Sequence, residues 1–191
     1  MSESEPQATS ADPGDDALVL AMPRKELYRL SGFTSTIDMA IIEALNEDAW
    51  YALPSTLVGN LDAKEVRLGL VVTAGDRVLV DEGGNLLHTT PIGPEVARLG
   101  RGLKALRDLA ALAGARFVGI ERLRSELAGY LNDDSLGDHR HAFVMVYRCR
   151  VDEGVAAPAG LSWISQKSLS AIPLDPASIL VAGGLFAPPH G

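Results

Sequence analysis

A single cysteine, Cys149, stands in a chain of 191 residues. It has no partner for an internal disulfide, which fits a reducing, cytoplasmic setting. Basic side chains are outnumbered, 17 Lys and Arg against 25 Asp and Glu, for a net charge of -8. Non-specific nucleic-acid binding rests on a basic footprint, so nucleic acid is not an expected partner. No apolar run approaches the ~20 residues that cross a bilayer, and the N-terminus lacks the basic-then-apolar order of a signal peptide. A membrane partner is therefore not expected either. No internal repeat is visible. What the chain does have is apolar content: 47% of its residues are hydrophobic, enough at this length for one domain with a substantial core.

Residues 1–16, MSESEPQATSADPGDD, are acidic and short of aliphatics. They cannot bury enough surface to offset the entropy of ordering, so a disordered tail is expected there. The domain then runs over 17–185, with 186–191 a loose C-terminus. Its first strand is Ala17 to Met22, closed by Pro23, because the residue before proline is biased away from the helical region. Ser35 or Thr36 can cap a helix over Ile37 to Leu45, with Ile37, Ile41, Ala44 and Leu45 as its inner stripe. Trp50 to Leu53 reads as a short strand. Val66 to Thr73 and Arg77 to Val80 are β-branched runs joined at Ala74-Gly75-Asp76, the pattern of a hairpin.

Beyond them, Leu86 to Thr90, Arg116 to Leu123, His141 to Val151 and Leu161 to Ile164 read as strands, and Gly129 to Asp138 as a polar loop. Ser165 or Ser168 starts a small helix. Asp175-Pro176 opens the last one, which ends near Gly183-Gly184, with an acceptor at the N-cap and proline at the first position. Interspersed strands and helices with mainly antiparallel pairing make an α+β fold.

The stretch Gly93 to Ala115, GPEVARLGRGLKALRDLAALAGA, reads as a loop and a helix of about three turns. Leu103, Leu106, Leu109 and Leu112 form its apolar stripe. Its spacing resembles the Nudix box, G-x5-E-x7-R-E-U-x-E-E-x-G-U, where U is aliphatic. Gly93, Arg107, Leu109, Gly114 and Ala115 take the non-acidic positions. The glutamate positions fall on Leu99, Asp108, Ala111 and Leu112. Residues at i, i+3 and i+4 share a helix face, so acids there would gather oxygens around Mg2+, a hard cation. Here that face offers one shortened acid beside a methyl and an isobutyl group.

Three more segments resemble the flanks of predicted bacterial Nudix-type phosphoesterases with an N-terminal extension. They are MPRKELYRLSGF, GYLNDDSLGDHRHAFVMVYRCRV and LSWISQKSL, so the likeness covers about 17–172. The resemblance implies an α/β/α sandwich with a mixed, mainly antiparallel sheet. The approach to the box, His88-Thr89-Thr90-Pro91-Ile92, departs from the glycine- and histidine-rich approach of that group. The box acids depart as well.

Other residues carry chemistry of their own. Asp133, Asp134, Asp138, His139 and His141 put five ionisable groups within nine residues. They offer either a metal set or a solvated turn whose aspartates bond their own backbone. Arg107 can orient acids or pair with Asp108 or Glu95, and Arg67 can face a phosphate or lie on the surface. Cys149 reads as a core thiol, Trp50 and Trp163 as core or pocket wall, and Gly83-Gly84 as a turn.

The leading expectation is a degenerate Nudix-like protein, a pseudoenzyme, acting as a nucleotide-binding or protein-interaction module without a cofactor. Its candidate ligand contacts are Arg67, Arg107, Asp108, Asp133, Asp134 and His141. A homodimer is compatible with this reading. The alternative is an active Mg2+-dependent pyrophosphohydrolase with the metal on Asp108 plus acids from elsewhere, such as Glu95, or Asp133 and Asp134. A third reading is a structural subunit whose pocket Leu99 and Leu112 fill.

Overall fold

The longest strand, β4 (Ala63–Ala74), is buried along nearly its whole length, as befits a strand with apolar layers on both faces. The computed structural model describes residues 17–94 and 102–186; the side chain of Asp138 lies outside the described set. Around β4 lie β1 (Val19–Pro23), β2 (Gly32–Thr34), β3 (Trp50–Ala52), β5 (Arg77–Asp81), β6 (His88–Pro91), β7 (Arg124–Asn132), β8 (Ala142–Arg150) and β9 (Leu161–Ser165). The helices are α1 (Met39–Glu47), the single turn α2 (Pro54–Leu57), α3 (Leu103–Val118) and α4 (Pro176–Phe186).

Among the described residues these strands form one sheet in the order β2-β7-β8-β4-β1-β3, with β5 and β6 also paired to β4 and β9 to β5. The β4–β8 pair is parallel, from Glu65 opposite Ala142 to Thr73 opposite Arg150. The other pairs are antiparallel. The expected hairpin is present but brief. β5 meets β4 only at Thr73–Val78 and Ala74–Arg77, then runs along β9 from Arg77–Ser165 to Asp81–Leu161.

Alternation along β4 and β8 sorts the core into two layers. Val66, Leu68, Leu70 and Val72 with Phe143, Met145, Tyr147 and Cys149 pack against α1 and α3. Val71, Val144 and Val146 pack on the other face against α4. Helices on both faces of a mixed sheet make the sandwich that the resemblance implied.

Several local expectations are corrected. Asp38 caps α1, accepting from the Ala40 amide at 2.9 Å, in place of Ser35 or Thr36. The helix therefore starts later, and Ile37 is exposed. Arg116, Phe117 and Val118 extend α3 instead of starting a strand, and the helix stops only at Gly119. There φ is 77°, a left-handed turn that glycine adopts without a Cβ penalty. Gly129 to Asn132, expected as loop, belongs to β7, which carries a register shift between Leu127 and Gly129. The last helix continues through Gly183-Gly184 to Phe186. Asp175 caps it as expected, accepting from the Ala177 amide at 2.9 Å. Trp50 is exposed on its strand, whereas Trp163 is half-buried and donates from Nε1 to the Val155 carbonyl at 2.9 Å. The expected tail 1–16 and residues 187–191 lie outside the described set.

Candidate functional site

The box helix α3 is laid on the sheet by Leu106 and Ala110, both fully buried. Gly114, a closing glycine of the box frame, permits the close approach. A Cβ there would lie 2.9 Å from Leu123 Cδ2 and 3.1 Å from Cys149 Sγ. Burial pushes the Cys149 thiol up to about 12, and the residue is the inert core thiol expected. The leucine stripe needs correction, because Leu112 is 45% exposed.

The outward face of α3 carries Asp108, Ala111 and Leu112. The Asp108 carboxylate accepts from Lys104 Nζ at 2.9 Å, one turn earlier, and lies 3.5 Å from its neighbour Arg107. The Lys104 hydrogen bond holds the Asp108 carboxyl below the usual carboxylate range. Arg107 also uses its carbonyl, which accepts from Ser125 Oγ at 2.7 Å. A hard cation needs several oxygens, and this face supplies one already paired carboxylate. These residues do not fit Mg2+. Glu95 and Leu99 lie outside the described residues. Among those described, no group of three or more His, Cys, Asp or Glu is placed to hold a metal ion.

The remaining candidates fall in two other places. Arg67 alternates with Val66 and Leu68 and pairs in register with Val144, so it points to the face opposite α3. Its guanidinium donates twice to Glu65, at 2.8 and 3.0 Å. His141 joins them in a pocket of about 190 Å³ walled by Pro54, Leu57 and Val58. Its Nδ1 is buried without a partner among the described residues.

Asp133 and Asp134 belong to a clasp instead. Asp133 accepts from the amide and hydroxyl of Ser135 at 2.8 and 2.6 Å, bonds that hold its carboxyl below the usual value. Asp134 lies 2.6 Å from Lys64 Nζ and 2.7 Å from Arg24. Partial burial works against its ionisation, but the Lys64 hydrogen bond and the charges of Lys64 and Arg24 win and keep its carboxyl low. Lys64 is only 1% exposed and also donates to Asn132 Oδ1 at 2.6 Å. Burial moves its amine below the ordinary lysine value in spite of Asp134. Asn132 in turn donates to the Leu27 and Leu30 carbonyls at 3.2 and 2.9 Å. Two of the sequence segments that carry the family resemblance are thus bound to each other.

A further cleft escaped the sequence reading. It has a volume of about 670 Å³ and lies between β6 and the C-terminal half of α3, with Asp81, His88, Thr90, Arg116 and Phe117 in its wall. The signal available in sequence was His88, a lone polar ring in the approach to the box.

No family model and no curated protein matches the chain. Among solved structures it is similar to Tm1382, a protein named as a candidate Nudix hydrolase. The TM-score is 0.70 at 16% identity, over 88% of this chain and 98% of that one. The fold is Nudix-like. A second likeness, to a candidate oxidoreductase from Sinorhizobium meliloti 1021, has a TM-score of 0.40 at 18% identity, over 70% of this chain and 43% of that one. A score that low carries no argument. On the Nudix-like fold, the six expected contacts divide among three places: Arg107 and Asp108 on α3, Arg67 and His141 beneath the opposite face, and Asp133 and Asp134 in the clasp. No described helix is long and apolar enough to cross a membrane.

Proposed function

We propose that this protein uses a Nudix-like fold to bind a nucleotide-type small molecule or a protein partner, without metal-dependent pyrophosphohydrolysis. The observation that carries the reading is the pairing of Asp108 with Lys104 at 2.9 Å on a face whose other acid positions hold Ala111 and Leu112. Metal-ion catalysis needs the cation fixed and its bound water activated, and one engaged carboxylate does neither. The related reading in which Leu99 and Leu112 plug the pocket loses support from Leu112, which points to solvent.

The test is thermal unfolding with a panel of nucleoside mono-, di- and triphosphates, with and without Mg2+. A ligand that binds the folded state alone raises the melting temperature by mass action. The expected result is an upward shift with at least one nucleotide that is the same without Mg2+. A shift that appears only with Mg2+ would favour the hydrolase reading. No shift across the panel would leave a protein partner as the surviving form of the proposal.

A further inference from the structure

Arg148 and Arg150 alternate with Tyr147 and Cys149 along β8 and so point to the α4 face of the sheet. Thr73 of β4 shares that face, opposite Arg150 in the parallel register. With Leu185 and Phe186 at the end of α4, these residues help to wall a recess of about 370 Å³. Small-molecule sites run from roughly 300 to 1,000 Å³. The recess lies across the sheet from α3, so it is separate from the box face and independent of the nucleotide reading.

The polar groups in its wall are held in place but incompletely used. Thr73 is 5% exposed, yet no hydrogen bond engages its hydroxyl among the described residues. Arg148 is half-buried. Its Nη2 donates to the Leu185 carbonyl at 3.3 Å, and its guanidinium carbon stands 5.7 Å from the Phe186 ring centre, a cation–π approach that fixes the fork. Its Nη1 lies 3.9 Å from Glu126 Oε1, beyond hydrogen-bond reach. Its Nε is shielded, with no partner among the described residues. A guanidinium carries five N–H donors, and leaving them unmet away from water is costly.

The charged groups in the wall are both guanidiniums. Arg150 donates to Glu126 Oε1, the carboxylate that Arg148 also approaches, so two positive charges meet one negative and one is left over. Beyond the wall, Arg124 opposite Arg150 and Glu153 beside Gly75 add one charge of each sign. The excess suits a single negative charge. Leu185 and Phe186 give the body of a ligand an apolar rest.

We infer that this recess binds a small organic carboxylate with an apolar body. The carboxylate accepts from Arg148 Nη1 and from the Thr73 hydroxyl, and the body rests on Leu185 and Phe186. A planar guanidinium matches a carboxylate in geometry as well as charge, and the buried hydroxyl gains the partner it lacks. Inorganic phosphate would leave the apolar wall uncovered and bring a second negative charge towards Glu126.

The experiment is a two-dimensional amide NMR titration of the whole protein with benzoate and with phenylacetate. The controls are benzyl alcohol, which keeps the body without the charge, and inorganic phosphate, which keeps charge without the body. The expected result is that both carboxylates shift amides at 73–75, 148–151 and 185–186, while both controls bind at least about tenfold more weakly. Arg148→Gln should weaken benzoate by about tenfold or more, the scale of a charge-assisted hydrogen bond. Thr73→Val keeps the side-chain shape, so it should hold the melting temperature and still weaken benzoate about fivefold. A control that binds as tightly as benzoate would overturn the carboxylate assignment. Shifts gathered on the outward face of α3, no shift with either acid, or benzoate binding unchanged in both variants would overturn the site itself.

Discussion

The Asp108 carboxylate lies 2.9 Å from the Lys104 ammonium, one turn earlier on α3. The pair occupies the face on which a working Nudix box would gather its acids, and it leaves the carboxylate engaged. Lys104→Met should therefore raise the Asp108 titration midpoint towards the ordinary aspartate value of about 3.9. Arg107, 3.5 Å from the same carboxylate, should keep part of the depression. Carboxyl carbon NMR across pH 2–6 measures this directly. An unchanged midpoint would mean that Lys104 does not hold Asp108 in solution.

The helix register makes a second prediction. Leu106 is fully buried and Leu112 is exposed. Leu106→Ala should cost on the order of 2–5 kcal/mol, and Leu112→Ala should stay within about 0.5 kcal/mol of the parent. Urea midpoints with unchanged slopes give both values. Equal losses at the two positions would place the helix in a different register.

The clasp adds a pH dependence. The folded Asp134 carboxyl titrates below its unfolded value. It therefore contributes stability that is present above about pH 4 and lost as pH falls through the folded value. Asp134→Asn should cost about 1 kcal/mol at pH 7, a figure kept small because this carboxylate faces water. The gap to the parent should close as pH drops towards 3. Denaturant unfolding at both pH values is the check, and a gap that ignores pH would count against the ion pairs with Lys64 and Arg24.

The strands with β-branched apolar runs, 66–73 and 141–151, were legible because such residues suit a sheet buried on both faces. The end of α3 was not. Phe117 and Val118 carry strand propensity, and only the left-handed Gly119 marks the stop. Gly129 looked like loop chemistry, yet a Cβ there would strike the Thr34 carbonyl oxygen of the neighbouring strand, so glycine is what lets β2 and β7 approach. Leu106, Leu109 and Leu112 repeat every three residues, and each step falls short of a full turn by about 60°. The third member therefore rotates out of the core.

The site was harder to read because its decisive contacts are distant in sequence. Asp133 and Asp134 looked like possible metal ligands beside two histidines. Nothing local could show that Lys64 and Arg24 reach Asp134 from elsewhere in the chain. Arg67 was a reasonable phosphate contact by charge, but its position in the β4 alternation turns it away from α3. The segment from His88 to Ile92 was visible as a departure from the family pattern, though His88 was not legible as part of a cleft.

The central claim is that the fold has been kept without the metal chemistry. Its most direct test is hydrolysis of dinucleotide, nucleotide-sugar and nucleoside triphosphate substrates with Mg2+ and with Mn2+, read as released phosphate or nucleotide. The account predicts no metal-dependent release above background with any substrate. Turnover near the ~10 s⁻¹ common among enzymes, abolished by Asp108→Asn, would contradict it.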